Sequence, residues 1–441
     1  MKKKFHMIRY GTHAESRYLS GDFLPTYDLL VVNGNMAAYS YAAMARFIAV
    51  QAQNKQYIID PQTHAFQHDL RFIKSTVTNE IKSSISRLME YFGEPLKTII
   101  TEKNRPVSPD DFKNKDTLLD MVEKVIEFQK KIFAEQEGDW NKYYEYLNII
   151  PLKPWALIPP YFFMDEFTSE KWLEVNIDAV KIAKDMYPHE RIMMQLVMGK
   201  DLLINQKLQE EIIDSVILAP ADIIGLWIDD FDETSVTSTE LMIYKKMLEK
   251  LGSKKQIIIL YGSYFSVALM NALPDLNIIG VCHGLEYAEH RPVIPVGGGF
   301  PVSKFYYPSL HIRLPYMEAF TLARSFFSSK ENYLHNVCNC KKCKELIAEA
   351  NSVDEAFSKY GNGEPTIVRR KNQVVVINYP TTEARSLCVS HYMWCKEKEY
   401  NEEWDSPSQV ADKLQLSADE SMKIGNAFAG HCLRWAKVLR G

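Results

Sequence analysis

Short runs of apolar and β-branched residues recur along most of the chain, and longer amphipathic stretches separate them. Eight of these runs predict β-strands, at Leu29–Val32, Tyr57–Ile59, Lys97–Thr101, Trp155–Ile158, Arg191–Val197, Ile223–Ile228, Gln256–Leu260 and Asn277–Cys282. Apolar residues at helical spacing predict helices between them, at Ser83–Phe92, Thr117–Ala134, Lys171–Met186, Gln206–Ser215 and Ser238–Leu251. Apolar strands alternating with helices are typical of a parallel sheet covered by helices, and eight strands favour an α/β fold of the (β/α)8 TIM-barrel type.

A cluster of cysteines follows the predicted barrel. Cys338, Cys340 and Cys343 lie in a C-x-C-x-x-C spacing, which lets their thiols converge on one point. A distant imidazole such as that of His391 completes the Cys3His set that Zn²⁺ favours in structural sites. Cys388 and Cys395 flank His391 and are competing ligands. Reduced surface cysteines or half of a disulfide scaffold would be the alternative interpretation, but we predict one structural zinc ion.

Length and composition agree with a barrel domain followed by a separate part that contains the cysteine cluster. The chain has 441 residues, and a single hydrophobic core usually stops growing at roughly 250–300. We expect a barrel domain at residues 1–330, followed by a zinc-binding subdomain and C-terminal helices at residues 331–441. The basic start lacks the apolar core of a signal peptide, and no apolar run reaches the roughly 18 residues of a membrane span. We therefore expect a cytoplasmic protein without a membrane partner. The net charge of −4 leaves room only for a local basic surface.

Acidic residues stand at the carboxyl ends of two predicted strands, where a barrel places its chemistry. They are Asp60 and the doublet Asp229–Asp230. Two facing carboxylates suit glycosidic chemistry, in which one attacks the sugar and the other moves the proton of the base. We predict Asp230 as the nucleophile, with Asp229 as the close alternative and Asp60 as general acid and base. Capping of the helices that follow is the structural alternative for each carboxylate.

The combination resembles the tRNA-guanine transglycosylase superfamily, whose members are (β/α)8 barrels with a C-x-C-x-x-C…H zinc subdomain. The family's early motif, Asp-Ser-Gly-Gly-Phe-Gln, resembles residues 60–67, and its Gln-Gly step resembles Gln195 in residues 193–199. Its Gly-Gly-Leu strand end falls near residues 228–230. The resemblance implies that Asp60 and Gln195 hold a guanine-like base. It also implies a substrate pocket, whose further candidate residues are Phe66, Tyr261, His283 and Glu286.

The chain also departs from the family. Paired glycines do not follow Asp60, and the family's nucleophilic Asp has no counterpart on the last strand, which moves the nucleophile to the 229–230 doublet or to Glu286. A divergent branch, the DNA-guanine transglycosylases, resembles the chain better. That branch implies replacement of guanine in DNA by 7-cyano-7-deazaguanine, with a helper ATPase as a further partner. Exchange in tRNA and a non-catalytic, zinc-stabilised barrel that binds nucleic acid or a partner protein remain the alternatives.

Cations and aromatic rings interleave between Lys304 and Arg313, after a glycine-rich stretch at residues 292–301. This pattern suits a nucleic-acid backbone with unstacked bases. Aromatic strand residues packed in a core would give the same pattern.

Overall fold

A seven-stranded parallel sheet, curled into a half-barrel, forms the centre of the computed structural model. The model describes residues 4–441 except 12, 135–138, 147, 149, 151, 286–288, 295–302, 359, 361–364, 371–372, 379–381 and 424–427. The strand order is β3-β2-β1-β7-β6-β5-β4. The strands are β1 Phe5–Tyr10, β2 Leu29–Asn33, β3 Gln56–Asp60, β4 Met193–Met198, β5 Ile223–Ile228, β6 Gln256–Ile259 and β7 Ile278–Gly284.

Helices cover the outer face of this sheet and form the C-terminal part of the chain. The helices as far as β7 are α1 Gly34–Tyr39, α2 Tyr41–Arg46, α3 Ser83–Phe92, α4 Lys115–Lys131, α5 Asp139–Tyr146, α6 Ser169–Met186, α7 Lys200–Ile204, α8 Gln206–Leu218, α9 Ser238–Gly252 and α10 Tyr264–Ala272. Two antiparallel hairpins follow β7, formed by β8 Lys304–Tyr307 with β9 Ile312–Pro315 and by β10 Pro365–Arg370 with β11 Gln373–Asn378. The later helices are α11 Tyr316–Phe326, α12 Lys330–Asn336, α13 Lys341–Ile347, α14 Val353–Ser358, α15 Thr382–Tyr400, α16 Pro407–Lys423 and α17 Gly430–Arg440. Within the described ranges, no helix has the length and apolar content needed to cross a membrane.

The predicted α/β class is confirmed, but the closed eight-stranded barrel is not. The run at Lys97–Thr101 was predicted as a strand and is helical, at Thr98–Glu102. Leu96, Ile99 and Ile100 are buried while their neighbours are more exposed, so the apolar positions follow a helical period. A short β-branched run is too brief to distinguish the helical period of apolar positions from the alternation of a strand.

One interior strand of the sheet, β1, does not meet the apolar-run criterion. It pairs in parallel with β2 on one side and β7 on the other, with Met7 opposite Leu29 and Cys282. Its sequence includes His6 and Arg9, which interrupt the apolar run, yet every residue of the strand is buried. This burial is possible because His6 contacts His283 and Arg9 pairs with Asp60, both far away in sequence.

The inner face of the curled sheet encloses its own apolar core. Side chains from all seven strands contribute to it, among them Met7, Val31, Ile58, Met193, Trp227, Ile258 and Cys282. The run predicted as a strand at Trp155–Ile158 lies between the two edge strands: the Trp155 N–H donates to Tyr57 O of β3, and Leu157 forms a single parallel bridge with Ile192. An irregular segment therefore occupies the position of an eighth strand.

Gln129 of α4 forms two hydrogen bonds with the backbone of the irregular segment, where no neighbouring strand among the described residues supplies them. Its amide nitrogen donates to Ile158 O at 2.7 Å, and its amide oxygen accepts from Ile158 N at 2.9 Å. The Gln129 side chain is fully buried. One side chain thus replaces two ladder hydrogen bonds at the gap in the sheet.

Gln129→Ala should leave the N–H and C=O of Ile158 unpaired in the core, and each such group costs about 1–3 kcal/mol. We expect the free energy of unfolding to fall by about 2–5 kcal/mol, with faster amide exchange at Ile158. Urea unfolding and hydrogen exchange measure these two effects. Gln206→Ala is the control, because that exposed amide donates only to Glu210 on its own helix. Equal losses in both variants would contradict this account.

Candidate functional site

A buried ion pair joins three neighbouring strands at their carboxyl ends. Arg9 is the penultimate residue of β1, Asn33 ends β2 and Asp60 ends β3. The Nη1 group of Arg9 donates to Asn33 Oδ1 and to Asp60 Oδ2, both at 2.8 Å. The Arg9 and Asp60 side chains are only 5% and 1% exposed. This edge of the sheet, the mouth of the half-barrel, is where parallel α/β sheets place their ligand sites.

The Asp60 carboxylate is held in its ionised form. Its Oδ1 accepts from Tyr161 Oη at 2.6 Å and from the Gln62 N–H at 3.1 Å. Burial favours the neutral acid, but the charge of Arg9 and these hydrogen bonds outweigh it, so the pKa of Asp60 lies below its usual value. An acid that stays ionised is poorly suited to the proton-donating role predicted from the sequence.

Aromatic rings surround this ion pair. His64 stacks on Tyr161 with ring centroids 5.2 Å apart, and meets Trp227 edge-on at 5.3 Å. Trp227 in turn contacts Tyr261 at 4.8 Å, and the Arg9 guanidinium carbon lies 4.8 Å from the Tyr261 ring centroid. We call this group the mouth cluster; its members are Arg9, Asp60, His64, Tyr161, Trp227 and Tyr261.

Several buried polar atoms at the inner face have no partner among the described residues. They are Nε and Nη2 of Arg9, Nδ1 of His64 and both amide atoms of Gln195. Gln195 is 1% exposed, and lies on β4 between Met193 and Val197 of the inner core. Leaving such atoms unpaired costs about 1–3 kcal/mol each, and native proteins usually pair them. A polar ligand at the mouth would satisfy them.

The two acidic residues after β5 face different ways. The Asp229 N–H donates to Met198 O and so extends the pairing of β5 with β4. By strand alternation Asp229 shares the inner face with Trp227, and its Oδ1 accepts from the Val293 N–H at 2.6 Å. Burial raises the pKa of Asp229, and the nearby charges of Asp230 and Asp201 add to this.

Asp230 lies outside the mouth. Its backbone is left-handed, with φ of 44°, and its side chain is 57% exposed. Its Oδ1 lies 2.7 Å from His290 Nδ1. Of the doublet, Asp229 is therefore the carboxylate that the fold directs toward the mouth cluster.

The other predicted substrate-binding residues divide into two groups. Tyr261 belongs to the mouth cluster, and Gln195 lies on the inner face. Phe66 is fully buried in the core on the outer side of the sheet. His283 also lies away from the mouth: its Nε2 is 2.8 Å from His6 Nε2, and both rings pack near Tyr400 of α15. Glu286 lies outside the described residues.

Four members of the mouth cluster were missed by the sequence analysis: Arg9, His64, Tyr161 and Trp227. Arg9 carries the only available signal, a charged residue in the strand-like run Phe5–Tyr10. Tyr161 lies in an irregular segment that has no periodic pattern to mark its direction. These residues become recognisable only when the sheet brings them together.

A second cluster, in the C-terminal part of the chain, could hold a metal ion. The ligand atoms of Cys338, Cys340, Cys343 and His391 all lie within 4.8 Å of one another, and all four residues are buried. Cys340 Sγ and Cys343 Sγ are each 3.3 Å from His391 Nδ1. The N–H of Cys340 donates to Cys338 Sγ at 3.3 Å, and such bonds stabilise thiolate ligands.

The imidazole of His391 is oriented for metal binding. Its Nε2 is 2.7 Å from Tyr306 O, which leaves Nδ1 directed at the three sulfurs. Cys395 Sγ borders the group, 3.5 Å from Cys338 Sγ and 3.6 Å from His391 Nδ1. Cys388 is buried but is not a member of the group. Three thiols and one imidazole fit a closed, four-coordinate site of the structural kind.

Comparisons of the chain with protein-family models, with curated proteins and with solved structures give no match. The resemblance to the transglycosylases therefore stays a prediction, and the geometry of the mouth and of the cysteine cluster carries the functional argument.

Metal analysis tests the cysteine cluster directly. We expect about one equivalent of metal ion per chain, and its loss in Cys340→Ser together with a lower melting temperature, because a structural metal contributes to folding. Cys388→Ser is the matched control, since this buried cysteine lies outside the cluster. Elemental analysis and thermal unfolding provide the readouts. Full metal content in Cys340→Ser would exclude Cys340 as a ligand.

The charge of Asp60 can be tested through the pH dependence of stability. Asp60→Asn leaves the Arg9 charge buried without its counter-ion, which costs about 3–5 kcal/mol. Because the folded-state pKa of Asp60 is lowered, its stabilising contribution is present above the ordinary carboxyl pKa and is lost as pH falls through the lowered one. The difference in the free energy of unfolding between the wild type and Asp60→Asn should therefore become smaller as the pH falls.

Urea unfolding across the acid range measures this difference. Asp69→Asn is the control, since Asp69 is exposed and bonds only to the backbone N–H and the side chain of Arg71, so its loss should show no comparable pH-dependent change. A difference between wild type and Asp60→Asn that stays constant throughout the acid range would contradict an ionised Asp60.

Proposed function

We propose that the protein is a transglycosylase that exchanges guanine in DNA for 7-cyano-7-deazaguanine through a covalent glycosyl-enzyme. The observation that carries the proposal is the pair of carboxylates at the mouth. Asp60 and Asp229 belong to one edge of the sheet, and their pKa values are shifted in opposite directions. Buried groups with unpaired hydrogen-bonding atoms lie on the same face. Such divergent carboxylates are typical of sites that move sugars.

The mouth offers the groups that a guanine-like base needs. Guanine has an N1–H donor, which suits Oδ2 of the ionised Asp60, since that oxygen accepts only from Arg9 among the described residues. The amide of Gln195 has both a donor and an acceptor available. The rings of Tyr161, Trp227 and Tyr261 supply apolar faces on which a planar base can stack. Recognition of a base therefore uses the deep, buried part of the mouth.

Asp229 is the nucleophile in this proposal. It is less buried than Asp60, which places it where the sugar of a bound nucleotide would lie, and the Val293 N–H orients its carboxylate. A bond forms between a carboxylate oxygen and C1′ while the bond from C1′ to N9 of guanine breaks. The electron pair leaves with guanine, which takes a proton from solvent. The incoming base loses its N9 proton to solvent, attacks C1′ and releases the carboxylate.

Zinc is the metal we propose for the cysteine cluster. In a closed set formed by Cys338, Cys340, Cys343 and His391 it would supply a cross-link rather than chemistry. The cluster joins the first turn of α13 and the residues just before it to α15, and α15 packs against β8 and β1. Zinc would in this way stabilise the outer side of the sheet.

Labelled 7-cyano-7-deazaguanine, offered with duplex DNA and with tRNA in parallel, tests the function. We expect incorporation into DNA, and a loss of about a thousandfold or more in Asp229→Asn, because an amide is a far poorer nucleophile than a carboxylate. Asp230→Asn, one residue away, is the matched control and should retain activity within a few-fold. Label in tRNA alone would assign the tRNA reaction, and label in neither nucleic acid would favour a non-catalytic binding protein.

A further inference from the structure

The guanidinium of Arg9 uses only one of its nitrogens as a donor within the described protein. Both N–H groups of Nη1 are used, one by Asn33 and one by Asp60. Nε and Nη2 have no partner among the described residues, although Arg9 is only 5% exposed. These two nitrogens form one side of the planar guanidinium, so their N–H groups point in parallel, in the geometry that binds two adjacent acceptors.

This donor edge has a fixed orientation. Asn33 and Asp60 hold Nη1, and the ring of Tyr261 lies 4.8 Å from the guanidinium carbon. Guanidinium remains charged in proteins, so the edge keeps its donors at every physiological pH. A buried donor pair of this kind is costly unless an acceptor reaches it. The acceptor that fits must present two adjacent atoms in one plane.

The neighbouring carboxylate narrows the chemistry further. Oδ2 of Asp60 accepts from Nη1, the guanidinium nitrogen outside the donor edge, so a carboxylate lies near that edge. A phosphate brought to this edge would meet the negative charge of Asp60. Guanine instead presents the matching order of groups along one side: the N1–H donor is followed by the acceptors O6 and N7. A planar purine-like base therefore complements both residues at once.

We propose that Arg9 determines which bases the site accepts: its Nε and Nη2 donors take O6 and an acceptor at position 7. That second acceptor is N7 in guanine; in 7-cyano-7-deazaguanine it is the nitrile nitrogen, which projects beyond the ring and reaches the same donor when the base turns in its own plane about O6. The proposal rests on the base exchange proposed above and adds the selection rule. 7-Deazaguanine, which has O6 but no acceptor at position 7, leaves one donor of Arg9 unpaired and is disfavoured. The same contact stabilises the negative charge on departing guanine.

Binding of the three free bases tests the rule without nucleic acid or turnover. Guanine, 7-cyano-7-deazaguanine and 7-deazaguanine are titrated into the full-length protein, with tryptophan fluorescence or calorimetry as the readout. We expect 7-deazaguanine to bind at least about tenfold more weakly than the other two, the usual size of a lost bidentate contact. This comparison of bases uses the wild-type protein alone, so it tests the proposal even if the Arg9 variants do not fold.

In Arg9→Lys, 7-deazaguanine should bind no more than about threefold more weakly than the other two bases. Lysine keeps the charge beside Asp60 but cannot present two parallel donors. Arg313→Lys is the matched control. Arg313 donates to the carbonyl oxygens of Leu285 and Gly284, and its replacement should leave the ranking intact.

The outcomes separate this inference from the proposed function. Equal binding of all three bases, or an unchanged ranking in folded Arg9→Lys, would overturn the role of Arg9 while label incorporation still supports base exchange. The expected ranking without incorporation into either nucleic acid would support Arg9 as the base-selecting residue and overturn the exchange reaction. Failure of every base to bind would overturn both.

Discussion

The ion pair of Arg9 and Asp60 is the contact on which the mouth of the half-barrel depends. Burying two charges costs several kcal/mol, and their attraction offsets this cost only where the geometry is good and the other polar atoms are paired. Asp60 meets this condition through Tyr161 and Gln62. Arg9 meets it only in part, because one side of its guanidinium has no partner within the described protein. That imbalance makes the mouth the candidate ligand site, because the unpaired donors of Arg9 would meet a ligand's acceptors there.

The cysteine cluster supports the same sheet from its other side. Helix α15 carries His391 and, further along, Lys396, whose buried ammonium lies 2.9 Å from both Glu289 and Glu399. Tyr400 at the end of this helix donates to Val281 O of β7. Through α15 the cysteine cluster is therefore connected to the outer face of the strands that form the mouth. A metal ion bound by the cysteine cluster would support the site without adding any group to the mouth cluster.

The sequence predicts what local patterns encode. Ile223–Ile228 is a continuous apolar run and is a strand with those bounds, and the C-x-C-x-x-C spacing brings three thiols together because the ligands are neighbours in the chain. The interior strand β1 was missed because His6 and Arg9 interrupt its apolar pattern. Their burial depends on His283 and Asp60, which are far away in sequence. Likewise, Asp229 is assigned to the mouth because it shares the inner face with Trp227, whereas Asp230 is left-handed and exposed. The interleaved cations and rings near Lys304 belong to a hairpin whose aromatic residues are buried.

The most direct measurement of the central claim is the position of the covalent intermediate. The protein is mixed with guanine-containing DNA without an incoming base, quenched in acid, digested and analysed by mass spectrometry. The account predicts a nucleic-acid adduct on the carboxylate of Asp229, and none on the same peptide from Asp229→Asn. An adduct mapped to Asp230 or Glu286 would show that a carboxylate other than the one facing the mouth cluster attacks the sugar.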